Sequence, residues 1–157
     1  MKEIYRQTAR LLTRVAPLVL VDDTFALKGG TAINLFVRDM PRLSVDLDLV
    51  LPDHTLPREL ALQRITDAIH QSVARLKKQG FQTDVPASGE AGGTKLLVRQ
   101  GAIQVKIEVN FVLRGTVHPV RMATLTPTAR DALQADGSRN SRRVGRRCVR
   151  RQAGCSP

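Results

Sequence analysis

Arg42-Leu43-Ser44-Val45-Asp46-Leu47-Asp48-Leu49-Val50-Leu51 is the stretch that decides the fold. From Ser44 to Leu49 apolar and polar residues alternate, and Val50 and Leu51 extend the apolar run, which predicts a strand over 44–51. Residues two apart on a strand share a face. Val45, Leu47, Leu49 and Leu51 therefore enter the core, and Asp46 and Asp48 project together on the other side. Adjacent like charges on a short apolar strand repel unless a cation lies between them. Mg²⁺ (or Mn²⁺) suits such a place, because Mg²⁺ binds through one or two carboxylates and completes its shell with water and phosphate oxygens. A solvent-facing polar edge fits a bare Asp-x-Asp as well, and spacing alone does not separate the two.

Upstream, Ile4, Thr8, Leu11, Leu12 and Val15 recur at helical spacing, predicting a helix over 2–16 that Pro17 ends. Residues 18–28 are rich in Val, Leu and Phe and predict strand, interrupted by a turn near Asp22-Asp23. Lys28-Gly29-Gly30-Thr31 follows, with Thr31 opening a second helix to about Arg38. A strand that runs through Gly-Gly into a helix offers backbone N–H groups at a helix N-terminus, where phosphates approach closely. The Thr31 hydroxyl suits either a helix cap or a phosphate oxygen. Gly-Gly before a helix is common, so this motif alone is unspecific.

Downstream, Leu62, Ile65, Ile69, Val73 and Leu76 form the apolar stripe of a helix over 58–79, with Gly80 as its stop. Strands are predicted at about 81–85, 94–99 and 102–112, the last two joined by a hairpin at Gln100-Gly101. In the last strand Ile103, Val105, Ile107 and Val109 form the buried face, and Gln104, Lys106 and Glu108 the polar one. Placed beside the Asp46/Asp48 strand, Glu108 completes a three-carboxylate cluster able to hold two Mg²⁺ ions for phosphoryl transfer. Lys106 then pairs with the carboxylates or with phosphate. An amphipathic strand with solvated charges satisfies the same spacing. The order of elements implies an α+β fold, a mixed β-sheet flanked by helices.

Composition narrows the function classes. The chain has 157 residues, enough for one domain with a core, and only 3% aromatics, so aliphatic side chains build that core. No apolar run approaches the ~20 residues of a membrane span. The first residues lack the apolar segment of a signal peptide, so a cytoplasmic location is expected. The formal charge of +11 drops to +4 without Arg139, Arg142, Arg143, Arg146, Arg147, Arg150 and Arg151. Cys148 and Cys155 lie in the same tail and form neither a disulfide framework nor a zinc site. His54, His70 and His118 are scattered without ligand spacing and read as surface or loop residues.

Gly29-Gly30-Thr31, then Arg42-x-Ser44-x-Asp46-x-Asp48, then a carboxylate on a later strand resembles the DNA-polymerase-β-like nucleotidyltransferases. More narrowly, Leu27-Lys28-Gly29-Gly30-Thr31-Ala32 with Arg42 to Leu49 resembles the AbiEii family, the toxin half of type IV toxin–antitoxin and abortive-infection systems. Val105-Lys106-Ile107-Glu108-Val109-Asn110-Phe111 fits that family's next motif, whose acidic position is commonly Asp. The resemblance, from about residue 20 to 133, implies a nucleotidyltransferase fold and transfer of a nucleotide from an NTP to an acceptor such as tRNA. It implies Gly30, Thr31 and Ser44 at the nucleotide, where Lys28 and Gly29 of the same motif are also placed, and Asp46, Asp48 and Glu108 on metal; Arg42 suits either a phosphate contact or a surface position. Lys106 joins those three as a catalytic residue. It further implies a role in phage defence and a cognate antitoxin that acts without stable direct contact, and no membrane partner. A small-molecule, antibiotic-type nucleotidyltransferase would use the same fold. A non-catalytic basic nucleic-acid binder would use the arginine tail instead.

The resemblance implies a core domain over 1–136 belonging to a longer architecture, and the composition of 137–157, with no apolar period, implies a basic, disordered tail. We read that tail as out-of-frame translation. Read one base later, codons for Asn140 onward permit a string resembling the family's next segment, and the Gln152/Ala153 junction must then encode Lys or Arg. Loss of that half predicts weak or absent activity and a poorly packed, aggregation-prone stretch over 113–135.

Overall fold

The computed structural model describes residues 3–38, 46–86, 93–110, 112, 114–116, 119–121 and 123–134. Arg42, Ser44, His118 and the whole basic tail lie outside them. In chain order the elements are α1 (Glu3–Val19), β1 (Ala26–Lys28), α2 (Gly29–Phe36), β2 (Asp46–Val50), α3 (Arg58–Lys78), β3 (Gln82–Asp84), β4 (Gly93–Gln100), β5 (Ile103–Asn110) and α4 (Pro127–Gln134). The five strands form one mixed sheet in the order β1-β2-β5-β4-β3. All neighbours are antiparallel except β2 and β5, which run parallel. The fold is α+β, as the alternation of elements implies.

One face of the sheet carries the core. Leu47 and Leu49 of β2, Val105, Ile107 and Val109 of β5, and Leu96 and Val98 of β4 are all fully buried. They join Leu11, Leu12, Val15 and Val19 of α1 and Ile65, Ile69 and Leu76 of α3 in a single apolar cluster. Strand residues in between point the other way, where the side chains of Asp46 and Glu108 are part-exposed. At ~1.5–3 kcal/mol for each fully buried aliphatic side chain, this one-sided layer is the main favourable term holding β2 and β5 in place.

Several sequence expectations shift. The first helix does not stop at Pro17 but runs to Val19, with Leu20 N–H donating to the Ala16 carbonyl at 2.9 Å. Proline deletes one helical hydrogen bond, and burial of Ala16 and Val19 offsets that loss. The strand expected over 18–28 shrinks to Ala26–Lys28. Its apolar start belongs to the helical stripe, since Val15 and Val19 are four apart, and a short apolar run does not reveal its own period. Ile4, at the outer end of α1, is exposed. The α3 stripe is rotated toward small residues: Ala61, Ala68 and Ser72 are buried, and Leu62 and Val73 only half-buried.

Gly80 does end α3. Its N–H bonds the Lys77 carbonyl, the Phe81 N–H bonds the Leu76 carbonyl, and its φ is +81°. That Schellman arrangement needs a left-handed residue, and it seats Phe81 against Leu76, both buried. Within the stretch expected to pack poorly, the described residues are exposed or half-buried apart from two around α4. Leu125 and Ala129 are buried with α1, and the Thr126 N–H donates to the Leu35 carbonyl at 2.9 Å. Thr126 followed by Pro127 is a helix-start signal that the sequence reading passed over.

Candidate active site

The parallel pairing of β2 with β5 sets Asp46 opposite Lys106 and Asp48 opposite Glu108. Antiparallel pairing adds Lys28 of β1 opposite Asp48, and Lys95 of β4 opposite Glu108. Directly paired residues share a face, so one row reads Lys28–Asp48–Glu108–Lys95 across four strands. Asp46 and Lys106 lie in the next row. This open face thus brings together three carboxylates and three ammonium groups.

The side chains interlock across the rows. Lys106 Nζ lies 3.3 Å from Asp46 Oδ2 and 3.4 Å from Glu108 Oε1, bridging the two carboxylates. Lys95 Nζ lies 3.6 Å from that same Glu108 oxygen. These pairs are part-exposed, so each contributes only ~0–1 kcal/mol to stability; their effect is on position. The hydrogen bond to Asp46, opposed by burial and helped by the charges of Asp46 and Glu108, holds Lys106 above its ordinary pKa. Asp48 has no lysine within ion-pair reach among the described residues. Burial, followed by the nearby Glu108 and Asp46 carboxylates, pushes its carboxyl up from its ordinary value; Lys28 and Lys106 offset this only in part.

Asp48 instead rests on the first turn of α2. Gly29 has φ +78°, and a Cβ built there would lie 2.5 Å from Asp48 Oδ2. The carboxylate thus occupies space that only glycine leaves open, beside N–H groups with no partner inside the helix. Gly29 is exposed and Gly30 half-buried. Thr31 is fully buried, and its hydroxyl donates to the Asp46 backbone carbonyl at 2.5 Å. That hydroxyl ties α2 to the start of β2, a use that neither sequence option named. Lys28 ends β1 with no side-chain cap to α2.

The expected three-carboxylate cluster differs in one respect. Asp46, Asp48 and Glu108 share the face, yet among the described residues no three such side chains gather closely enough to hold a metal ion. Lys106 and Lys95 hold the Glu108 carboxylate between them, and Lys106 stands between Glu108 and Asp46. The donor set is nonetheless all oxygen and suits a hard cation.

Lys95 is the site residue that sequence reading missed. The hairpin loop is Gly101-Ala102, flanked by Gln100 and Ile103. A loop at Gln100-Gly101 would slip the register by two and put Gly93 opposite Glu108. The surface hollow lined by Asp22, Thr24, Leu60, Arg64, Asp67 and Gln71 shares no residue with the charged rows. His54 and His70 are exposed.

The profile of the family described as "Nucleotidyl transferase AbiEii toxin, Type IV TA system" matches residues 10–141. The chain belongs to that family. No curated protein and no solved structure matches it. As an AbiEii-family chain it has the nucleotidyltransferase-like, mixed-sheet fold of that group and is a member of a type IV toxin–antitoxin family. Among the described residues, no helix is long and apolar enough to cross a membrane.

Proposed function

We propose that this chain carries the nucleotide-binding face of an AbiEii-type toxin that moves a nucleotide from an NTP to an acceptor, with tRNA as the acceptor class. The observation that carries the reading is Asp48 lying against Gly29 at the start of α2, one strand residue from Leu47 and two from Asp46. Paired carboxylates thus lie beside the backbone N–H groups of the first turn of α2, and a metal-bound triphosphate requires both.

In the proposed reaction an acceptor hydroxyl gives up its proton to solvent and bonds to the α-phosphorus of the NTP while the bond to pyrophosphate breaks. Asp46 and Asp48 would hold Mg²⁺, which supplies charge neutralisation at the phosphates and lowers the pKa of the attacking group. Gly29 and Gly30 receive phosphate oxygens on the backbone. Lys28 and Lys95, at the ends of the charged row, attract the triphosphate from both sides. Thr31 positions β2 through the Asp46 carbonyl. Arg42 and Ser44 remain proposed phosphate contacts from the family motif. The domain unit is residues 1–136, and the cognate antitoxin acts without a lasting complex.

Purified protein incubated with Mg²⁺, each labelled NTP and total tRNA should label the RNA weakly at most, and a longer chain with the reading frame restored should label it strongly. Asp46→Asn/Asp48→Asn should abolish transfer in either chain. Transfer to aminoglycosides but not to tRNA would replace the acceptor class. Silence of this chain beside activity of a longer chain with the reading frame restored would show that residues beyond 136 complete the site. Silence of both would refute the proposal.

A further inference from the structure

We propose that Lys106 takes the place of a second cation, so that the site binds one divalent ion, on Asp46 and Asp48, and Glu108 is not a metal ligand. This rests on the reading of Asp46 and Asp48 as metal-binding and narrows it. Three carboxylates on one face would ordinarily invite two ions. Here the Lys106 ammonium already sits 3.3 Å from Asp46 and 3.4 Å from Glu108. The Glu108 oxygen it touches is also approached by Lys95 at 3.6 Å.

Chain geometry makes the arrangement persistent. Lys106 is paired in register with Asp46 on the adjoining strand, and Lys95 with Glu108 on the other side. Both ammonium groups are delivered by backbone ladders rather than by long reaches from loops. Glutamate carries one methylene more than aspartate, and its carboxylate ends between the two lysines. A second divalent ion would have to displace Lys106 and leave its charge beside the first ion. Like charges a few ångströms apart oppose that. Asp48, free of lysine partners among the described residues, stays available.

Mn²⁺ alone tests this on the full chain, by loss of the free-ion paramagnetic resonance signal. Wild type should bind one Mn²⁺ per chain and Lys106→Arg also one. Lys106→Met should bind two. Lys95→Gln, at an exposed position, should tighten Mn²⁺ binding by a few-fold, up to about tenfold, the order expected for removing one nearby unit charge at a surface. Circular dichroism melts confirm that each variant is folded. If Lys106→Met fails to fold, Lys106→Gln takes its place, with two Mn²⁺ per chain expected and one overturning the proposal. Two ions on wild type, or one on a folded Lys106→Met, overturn it while leaving the metal reading of Asp46 and Asp48 intact. No Mn²⁺ on any variant removes that reading and this one with it.

Discussion

Gly29→Ala should cost far more than a surface glycine normally does. Two separable effects add. A residue with a Cβ pays about 1–2 kcal/mol to hold the left-handed φ of +78°. The new methyl would also lie 2.5 Å from Asp48 Oδ2 and 3.3 Å from both Asp48 Cβ and Cγ. Asp48 is short and anchored to a strand with buried neighbours, so it must rotate off its seat, adding about 1 kcal/mol at the low end of overpacking costs. Together the loss should be about 2–3 kcal/mol, read by urea unfolding followed by circular dichroism. A double-mutant cycle separates the two effects. In an Asp48→Ala background the 2.5 Å collision with the carboxylate is gone and only the tight 3.3 Å approach to Cβ remains, so Gly29→Ala should cost little more than the backbone share of about 1–2 kcal/mol. A cost below roughly 0.5 kcal/mol in the parent chain would refute the left-handed conformation. Equal costs in the two backgrounds would refute the contact between Asp48 and α2.

Thr31→Val keeps the shape but leaves the Asp46 carbonyl without its donor, so it should destabilise by about 1–2 kcal/mol, whereas Thr31→Ser should retain most of the stability. Equal urea midpoints for the three proteins would show that the hydroxyl does not bind β2. Asp22 offers a pH signature. Its burial is outweighed by hydrogen bonds from Thr24 and by the charges of Arg75 and Arg64, so its folded pKa lies below the ordinary 3.8. A depressed carboxylate contributes stability above its unfolded pKa and loses it as pH falls through the folded value. The melting-temperature advantage of wild type over Asp22→Ala should thus be steady at neutral pH and shrink below about pH 4. An advantage that grows on acidification would contradict the assignment.

How far sequence reached depended on which contacts are local. Asp46 and Asp48 were legible because strict alternation with Leu47 and Leu49 fixes their shared face whatever the neighbours do. Glu108 was legible as an outward residue, but its adjacency to β2 was only a condition until the parallel pairing with Asp48 was known. No local signal states which strands pair, because the contact closes a long loop. Lys95 illustrates the cost of a small error: misplacing the hairpin loop by one residue hides the partner of Glu108. Thr31 shows a different limit. Its residue type fits a cap or a phosphate contact, but a carbonyl fifteen residues away claims the hydroxyl. Pro17 and Val19 show burial overriding a helix stop.

The 60 residues separating Asp48 from Glu108 also set an order of events during synthesis. A ribosome adding roughly 5–20 residues per second needs several seconds to pass from one to the other. In that interval β2 has only β1 beside it, and the lysines that neutralise its face are not yet made, apart from Lys28. Pairing β2 with β5 then closes a loop holding α3, β3 and β4, a non-local step of the kind that slows folding. A nascent chain of this toxin family therefore carries its paired aspartates well before it has the strand that completes their face. The proposed chemistry switches on with the finished domain, not with the first appearance of its key residues.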